Sequence, residues 1–329
     1  MSQEILRLFK DKETVLSGQK ISKALGITRA AVWKKIRALR KKGFIIKAVP
    51  SKGYQLLKYP DLSPEEILLR LGGQLFKDVF FHKSLDSTNA LALALSAGGD
   101  IKSGTVIIAD RQDKGRGRLG RSWFSPAGAN IYMSIILRPE IAPRDGTLIT
   151  ILAALACAKA LKDKTGVNVS IKWPNDLMAS GRKIGGILTE IRSDPDKINL
   201  AVIGIGINVN IDCAQLPEEL RSTATSVRNE TGRLHARNEI VAGILMEFES
   251  WYKELKSTGR APLLSELRRL SSTIGQRVNV STGREMLTGL AEDIDEEGML
   301  LLRLSSGELR RISSGDVTLL RPEGGVIQA

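Results

Sequence analysis

Of the thirteen net positive charges on this 329-residue chain, twelve fall in its first sixty residues, where 15 Lys and Arg stand against 3 Asp and Glu. Charge confined to one end means a small basic module joined to a larger, near-neutral body, and the length suffices for two or three domains with a sizeable core. A basic module of this kind points to a polyanion, above all nucleic acid, as its partner.

The pattern within the module supports that reading. Residues 2–10 carry Ile5, Leu6, Leu8 and Phe9 at helical spacing; Ser17 caps a second helix that ends at Gly26, and Thr28 caps a third that closes at Gly43. On the third helix Val32, Ile36 and Leu39 share one face, while Ala30, Lys34, Arg37 and Lys41 gather on the other, with Arg29 near the N-terminus. Two short helices joined by a tight glycine turn, the second basic outward, make a helix-turn-helix. Residues 45–49 and 54–57 follow as a hairpin wing around Pro50-Ser51-Lys52-Gly53. Residues 1–60 are therefore expected to form a winged helix-turn-helix that meets DNA through Arg29, Ala30, Lys34, Arg37, Lys41 and Lys52. The alternative is a solvated basic helix in a protein-interaction module. Segregation of the charges from the apolar stripe favours DNA.

The body excludes several classes. Its longest apolar stretch, 148–161, is broken by Thr150 and Lys159 and is too short to span a bilayer, and the N-terminus lacks the apolar run of a signal peptide. Two cysteines, Cys157 and Cys213, give no disulfide framework; two histidines, His82 and His235, give little basis for a zinc site or a histidine triad. A cytoplasmic protein with no membrane partner is expected. Residues 59–64, with Pro60 and Pro64, read as a linker. Beyond it, helices at 65–73, 90–97 and 148–164 mix with strands at 80–85, 104–110, 130–137, 168–173, 184–191 and 200–209, which predicts a mixed-sheet α/β domain over 65–270. After residue 271 short strands recur at 277–281, 286–294, 299–304, 308–312 and 317–321, with glycine turns between them, so a small SH3-like barrel is expected over 271–323. The fold class is α+β.

The most distinctive text in the body is Gly115-Arg116-Gly117-Arg118-Leu119-Gly120-Arg121, two residues before Trp123. Glycines admit a ligand close to the main chain, and arginines offer charged donor forks to carboxylate or phosphate. The letters also satisfy G-x-G-x-x-G, but that fingerprint should lead from a strand into a helix, and here a loop and then a strand follow. A basic, flexible surface loop is the plainer alternative. Ser87-Thr88-Asn89 opens a helix as a cap or a binding motif. Lys172-Trp173-Pro174-Asn175-Asp176 ends a strand, and the return at 181–186 sets Lys183 on the strand opposite 172–176, either as a surface ion pair or as a catalytic one. In 202–209 the strand alternation puts Gly204 and Gly206 on one face, as a close approach would require.

Together these segments carry a resemblance. GRGRLGRSW at 115–123, STN at 87–89, KWPNDL at 172–177, RKIGGILTE at 182–190 and GIGINVN at 204–210 stand in the order and spacing of the biotin protein ligase family, specifically its two-function members that are also biotin operon repressors. The basic N-terminal module and the C-terminal barrel extend the likeness over nearly the whole chain. The resemblance implies a central domain of the biotin/lipoate ligase type that joins biotin and MgATP into biotinyl-5′-AMP and then passes biotin to a lysine of biotin carboxyl carrier protein, the acetyl-CoA carboxylase subunit. It also implies repression of biotin genes at operator DNA, with the adenylate as corepressor and promoter of a homodimer. By the same resemblance, Ser87, Thr88, Asn89, Gln112, Arg116 and Gly117 surround biotin together with Arg118 and Lys183. Arg118, Arg121, Trp123, Asn175 and Asn208 serve the nucleotide. Lys183, Arg118 and Asp176 are the catalytic candidates, with Asp176 either holding Mg²⁺ or accepting the attacking lysine's proton. Two rivals stay open: a winged-helix regulator whose central domain binds an effector without catalysis, and a lipoate ligase.

Overall fold

The computed structural model describes residues 2–9, 14–99, 101–283 and 285–320. Lys10, at the expected end of the first helix, and residues 321–323, at the expected end of the barrel, lie outside the described residues. The chain divides into two compact units, Met1–Gly72 with Ala236–Ala242, and Gly73–His235 with Gly243–Ala329.

In the first unit the elements run α1 (Ser2–Leu8), β1 (Val15–Leu16), α2 (Gly18–Leu25), α3 (Arg29–Lys41), β2 (Ile45–Val49), β3 (Gly53–Lys58) and α4 (Pro64–Arg70). The caps are those the sequence announces: Ser17 Oγ accepts from Lys20 N–H and Thr28 Oγ1 from Ala31 N–H, while Gly26 turns the chain at φ 63°. Ile5, Leu6, Ile21, Val32, Ile36 and Leu39 bury their side chains together with Phe44, Ile46 and Leu56. The wing has an unforeseen third strand, because β1 pairs with the free edge of β3. Gly53 permits this: a Cβ there would stand 2.1 Å from the Leu16 carbonyl oxygen. Residues 59–64, which read as a linker, lie within this unit, where Asn238 Nδ2 donates to Pro60 O and Ser63 N–H donates to Asn238 Oδ1.

The second unit is built on a seven-stranded sheet in the order β4-β5-β6-β10-β9-β8-β7. Its strands are β4 (Val79–His82), β5 (Thr105–Ala109), β6 (Ile131–Leu137), β7 (Ser170–Lys172), β8 (Asp176–Ala179), β9 (Arg182–Ser193) and β10 (Ile198–Ile207). β4 and β5 run parallel and the other neighbours antiparallel. Two helices, α5 (Thr88–Ala97) and α6 (Gly146–Thr165), cover opposite faces, since consecutive β9 residues point to opposite sides and Thr189 reaches Thr150 of α6 while Glu190 reaches Asn89 of α5. Helices α7 (Glu218–Arg221), α8 (Val227–Thr231), α9 (Arg237–Ser257) and α10 (Ala261–Leu270) follow. Helix α9 was not among the expected helices; Ile244, Leu245 and Phe248 are fully buried on it at helical spacing. The C-terminal strands β11 (Arg277–Ser281), β12 (Met286–Ile294), β13 (Leu300–Leu304), β14 (Leu309–Ile312) and β15 (Asp316–Leu319) form one antiparallel sheet ordered β14-β13-β12-β11-β15, a small barrel-like domain. Among the described residues no helix is long and apolar enough to cross a membrane.

One correction concerns the hairpin expected to face Lys183 against residues 172–176. Strand β8 intervenes, pairing Lys172 with Asp176 on one side and Asp176 with Gly186 on the other, so Lys183 stands in register with Met178. The sequence hides β8 because four residues between two turns show too little alternation to read.

Candidate active site

The site grows from the α5 face of β10. Alternation places Gly204 and Gly206 there, and each makes room for one side chain: a Cβ on Gly204 would lie 2.3 Å from Asn89 Oδ1, and one on Gly206 would lie 2.8 Å from the Trp123 ring. The glycines weaken the strand so that the start of α5 and the end of the Gly/Arg loop can rest on it. Gly204→Ala is expected to destabilise the fold by about 1–3 kcal/mol by overpacking, because Asn89 cannot retreat. Urea unfolding checks this, and a wild-type midpoint would show that Asn89 does move.

Asn89 is fixed by a network that uses its whole carboxamide. Ser134 Oγ donates to Asn89 Oδ1 at 2.6 Å, and Asn89 Nδ2 donates to Leu188 O and to Glu190 Oε2. Thr88 donates from N–H and Oγ1 to Gln112 Oε1, whose amide nitrogen donates to Ser125 Oγ. Ser87 caps α5, its Oγ accepting from Ala90 N–H at 3.4 Å. Buried polar groups in a satisfied network hold one geometry, and this network forms a rigid polar wall.

The Gly/Arg segment is a tight hairpin. Gly117 N–H donates to Arg121 O at 2.7 Å, and the tip turns through left-handed Leu119 and Gly120, at φ 55° and 74°. This splays the arginines toward three different partners: Arg116 pairs with Glu190 at 3.2 Å, Arg118 Nη1 donates to Asn175 Oδ1 at 2.7 Å, and Arg121 pairs with Asp316 of the barrel. Burial pulls the Arg118 guanidinium below its ordinary value against the opposing attraction of Asp176 and Asp316, yet arginine stays charged at neutral pH.

Facing this loop is a buried carboxylate between two ammoniums. Asp176 Oδ1 lies 2.5 Å from Lys183 Nζ, and Oδ2 lies 3.0 Å from Lys172 Nζ. Lys183 also sits 5.5 Å from the centre of the Trp123 ring. The 173–175 turn is anchored to the barrel: Trp173 is 1% exposed, its N–H donates to Thr273 Oγ1 and its Nε1–H to Gly298 O. Burial alone would raise the Asp176 carboxyl, but Lys183 and Lys172 outweigh it and hold the group below its usual range. A carboxyl depressed in the folded state adds stability above its unfolded pKa, and that contribution is lost as pH falls through the folded value. The difference in melting temperature between wild type and Asp176→Asn should therefore shrink below a pH of about 4, as thermal melts across pH 2–6 would show.

In this geometry Asp176 is the shared ion-pair partner of two lysines. Both oxygens carry cationic partners, Oδ1 with Lys183 and Oδ2 with Lys172. Asn208 is likewise engaged: it is 5% exposed, accepts from Asn130 Nδ2 and donates to Thr225 O. Sequence reasoning passed over Glu190, Ser134, Ser125 and Asp316, which orient the predicted residues. Glu190 had a signal, since it shares a strand face with Gly186. The others are brought in by tertiary contacts alone.

In the first unit Arg29, Ala30, Lys34, Arg37 and Lys41 are all exposed on α3, as is Lys52 at the wing tip, opposite or beside the buried Val32, Ile36 and Leu39. Each of the predicted DNA-facing residues is therefore open to solvent.

Comparison with known proteins matches this division. An HTH domain covers residues 2–55, the biotin/lipoate A/B protein ligase family covers 81–208, and the biotin protein ligase C terminal domain covers 273–320. Fold and site together define a class of ligases that carry their own DNA-binding domain. The bifunctional ligase/repressor BirA of Bacillus subtilis (strain 168) is 38% identical over 322 residues, 97% of this chain and 98% of that protein. BirA of Escherichia coli (strain K12) is 33% identical over 308 residues, 93% and 94% of the two chains. The biotin protein ligase from Aquifex aeolicus in complex with biotin and ATP superposes with a TM-score of 0.64 at 30% identity, covering 75% of this chain and 100% of that one. The chain belongs to the bifunctional biotin protein ligase and repressor family.

Proposed function

We propose that the protein activates biotin with ATP and transfers it to a lysine of biotin carboxyl carrier protein, and that its biotinyl-5′-AMP-bound form represses biotin genes. The observation that carries this reading is the convergence, on one face of the sheet, of a fixed Thr88-Asn89-Gln112 wall, the three-arginine hairpin and the Lys172-Asp176-Lys183 cluster. In the first step a biotin carboxylate oxygen bonds to the α-phosphorus as the bond to pyrophosphate breaks. Two anions must be held together for this, and Arg118 and Lys183 supply the preorganised positive charge. In the second step the carrier lysine's amine attacks the acyl carbon, AMP leaves and the amine loses a proton.

Asp176 orients Lys183 and Lys172 in this scheme. A carboxylate held low and already paired is a weak proton acceptor, and a magnesium ion bound with the nucleotide would supply further positive charge at the phosphates. Trp123 and Asn175 serve the nucleotide. Ser87, Thr88, Gln112, Arg116 and Gly117 line the biotin side, and the hairpin shields the mixed anhydride from water. The adenylate-bound protein acts on operator DNA as a homodimer, because helix-turn-helix proteins read paired half-sites.

Pyrophosphate release from ATP tests the acyl specificity. Release should depend on biotin and remain at background with lipoate. Equal release with lipoate would overturn the biotin assignment, and release with neither would leave a regulator without catalysis.

A further inference from the structure

Helix α3 buries Val32, Ile36 and Leu39 to 1% exposure but leaves its one aromatic side chain, Trp33, 52% exposed. A tryptophan can bury some 150–250 Å² when packed, so an exposed one on a helix that otherwise buries its large apolar residues is a surface awaiting a partner. Its neighbours indicate which one. Trp33 lies three residues after Ala30 and four before Arg37, spacings that stack all three in one row on a helix surface. The Arg37 guanidinium stands 5.3 Å from the centre of the Trp33 ring. Lys34 and Lys41 flank the row, in a segment of net charge +12. A polyanion is the partner this charge selects.

We propose that Trp33 is a base-reading residue that meets a thymine methyl in the major groove while its ring braces Arg37 against a neighbouring guanine. This rests on the DNA-binding half of the proposed function. The groove chemistry fits the row: thymine presents a methyl group that apolar side chains contact, and guanine presents O6 and N7 to an arginine fork. An arginine on a flexible stem loses less freedom on binding if an aromatic face already holds its plane. Ala30 is small enough to let the helix approach the base edges. The ring adds no charge, so its contribution appears in sequence selectivity and is absent from the salt dependence, which counts phosphate contacts.

The test uses the full-length protein with biotin and ATP and a pool of random 40-base-pair duplexes, from which the wild type selects its preferred sequence. The selected duplex is then remade with single thymines replaced by deoxyuridine, which removes only the methyl. At one position this should weaken wild-type binding by about three- to tenfold. Trp33→Ala should bind the unmodified duplex about tenfold more weakly, keep the wild-type slope of log affinity against log salt, and no longer respond to deoxyuridine. Trp33→Phe should retain most of the selectivity. Because the side chain is exposed, melting temperatures should match, which separates recognition from folding. The proposal is overturned if Trp33→Ala binds as wild type does, if it still senses the missing methyl, or if its salt slope falls by a unit, which would mean that it acts only through phosphate contacts. A wild type that enriches no sequence overturns the DNA reading itself, and this inference with it.

Discussion

Lys183→Ala should slow adenylate formation at least about a hundredfold, the range expected when a preorganised charge is removed from a developing anionic centre. The strand should survive the change. Lys183 is held by its backbone, its N–H donating to Thr223 O at 2.8 Å and its carbonyl accepting from Thr225 N–H at 2.9 Å, and its side chain is 35% exposed. The cost falls on chemistry: the phosphate and acyl oxygens lose an ammonium, and buried Asp176 keeps only Lys172 as a cationic partner. Single-turnover pyrophosphate release, with thermal melts run alongside, measures both. A variant of normal speed would reduce the Lys183–Asp176 contact to a structural ion pair.

Removing residues 1–60 should abolish DNA binding at physiological salt while leaving biotin activation measurable, because the cut discards +12 of the +13 net charge and all of α3, whereas the matched ligase segments begin beyond residue 80. The cut also uncovers Leu69, which packs on the first unit's core, so the shortened protein should be less soluble. Arg37→Ala in the full chain is the gentler version. It should weaken operator binding by about 1–3 kcal/mol if the guanidinium reads a base, or lower the salt slope by about one if it touches only phosphate. Anisotropy titrations across salt concentrations separate these outcomes, and biotinylation of the carrier should be unchanged. Full-length protein without salt-sensitive binding to DNA upstream of biotin genes would remove the repressor function and leave the ligase function standing.

The sequence by itself determined what local chemistry can determine. Ser17 and Thr28 mark helix starts because their hydroxyls cap the next turn's N–H groups, and Val32-Ile36-Leu39 fixes which face of α3 is buried and hence which face carries charge. Gly204 and Gly206 announced a close approach, since a strand gives up side chains only where something else must fit. What came to rest there, Asn89 and Trp123, belongs to segments far away along the chain. Only the tertiary structure decided that the three arginines, all within five residues of one another, would part toward Glu190, Asn175 and Asp316. It also decided that Asp176 would sit on a short strand of its own between two lysines. The physical reason is the same in each case. Propensity, capping and alternation act over a few residues and leave their mark in the text, whereas an ion pair or a polar network is chosen by which strands become neighbours in the sheet, and no local pattern records that choice.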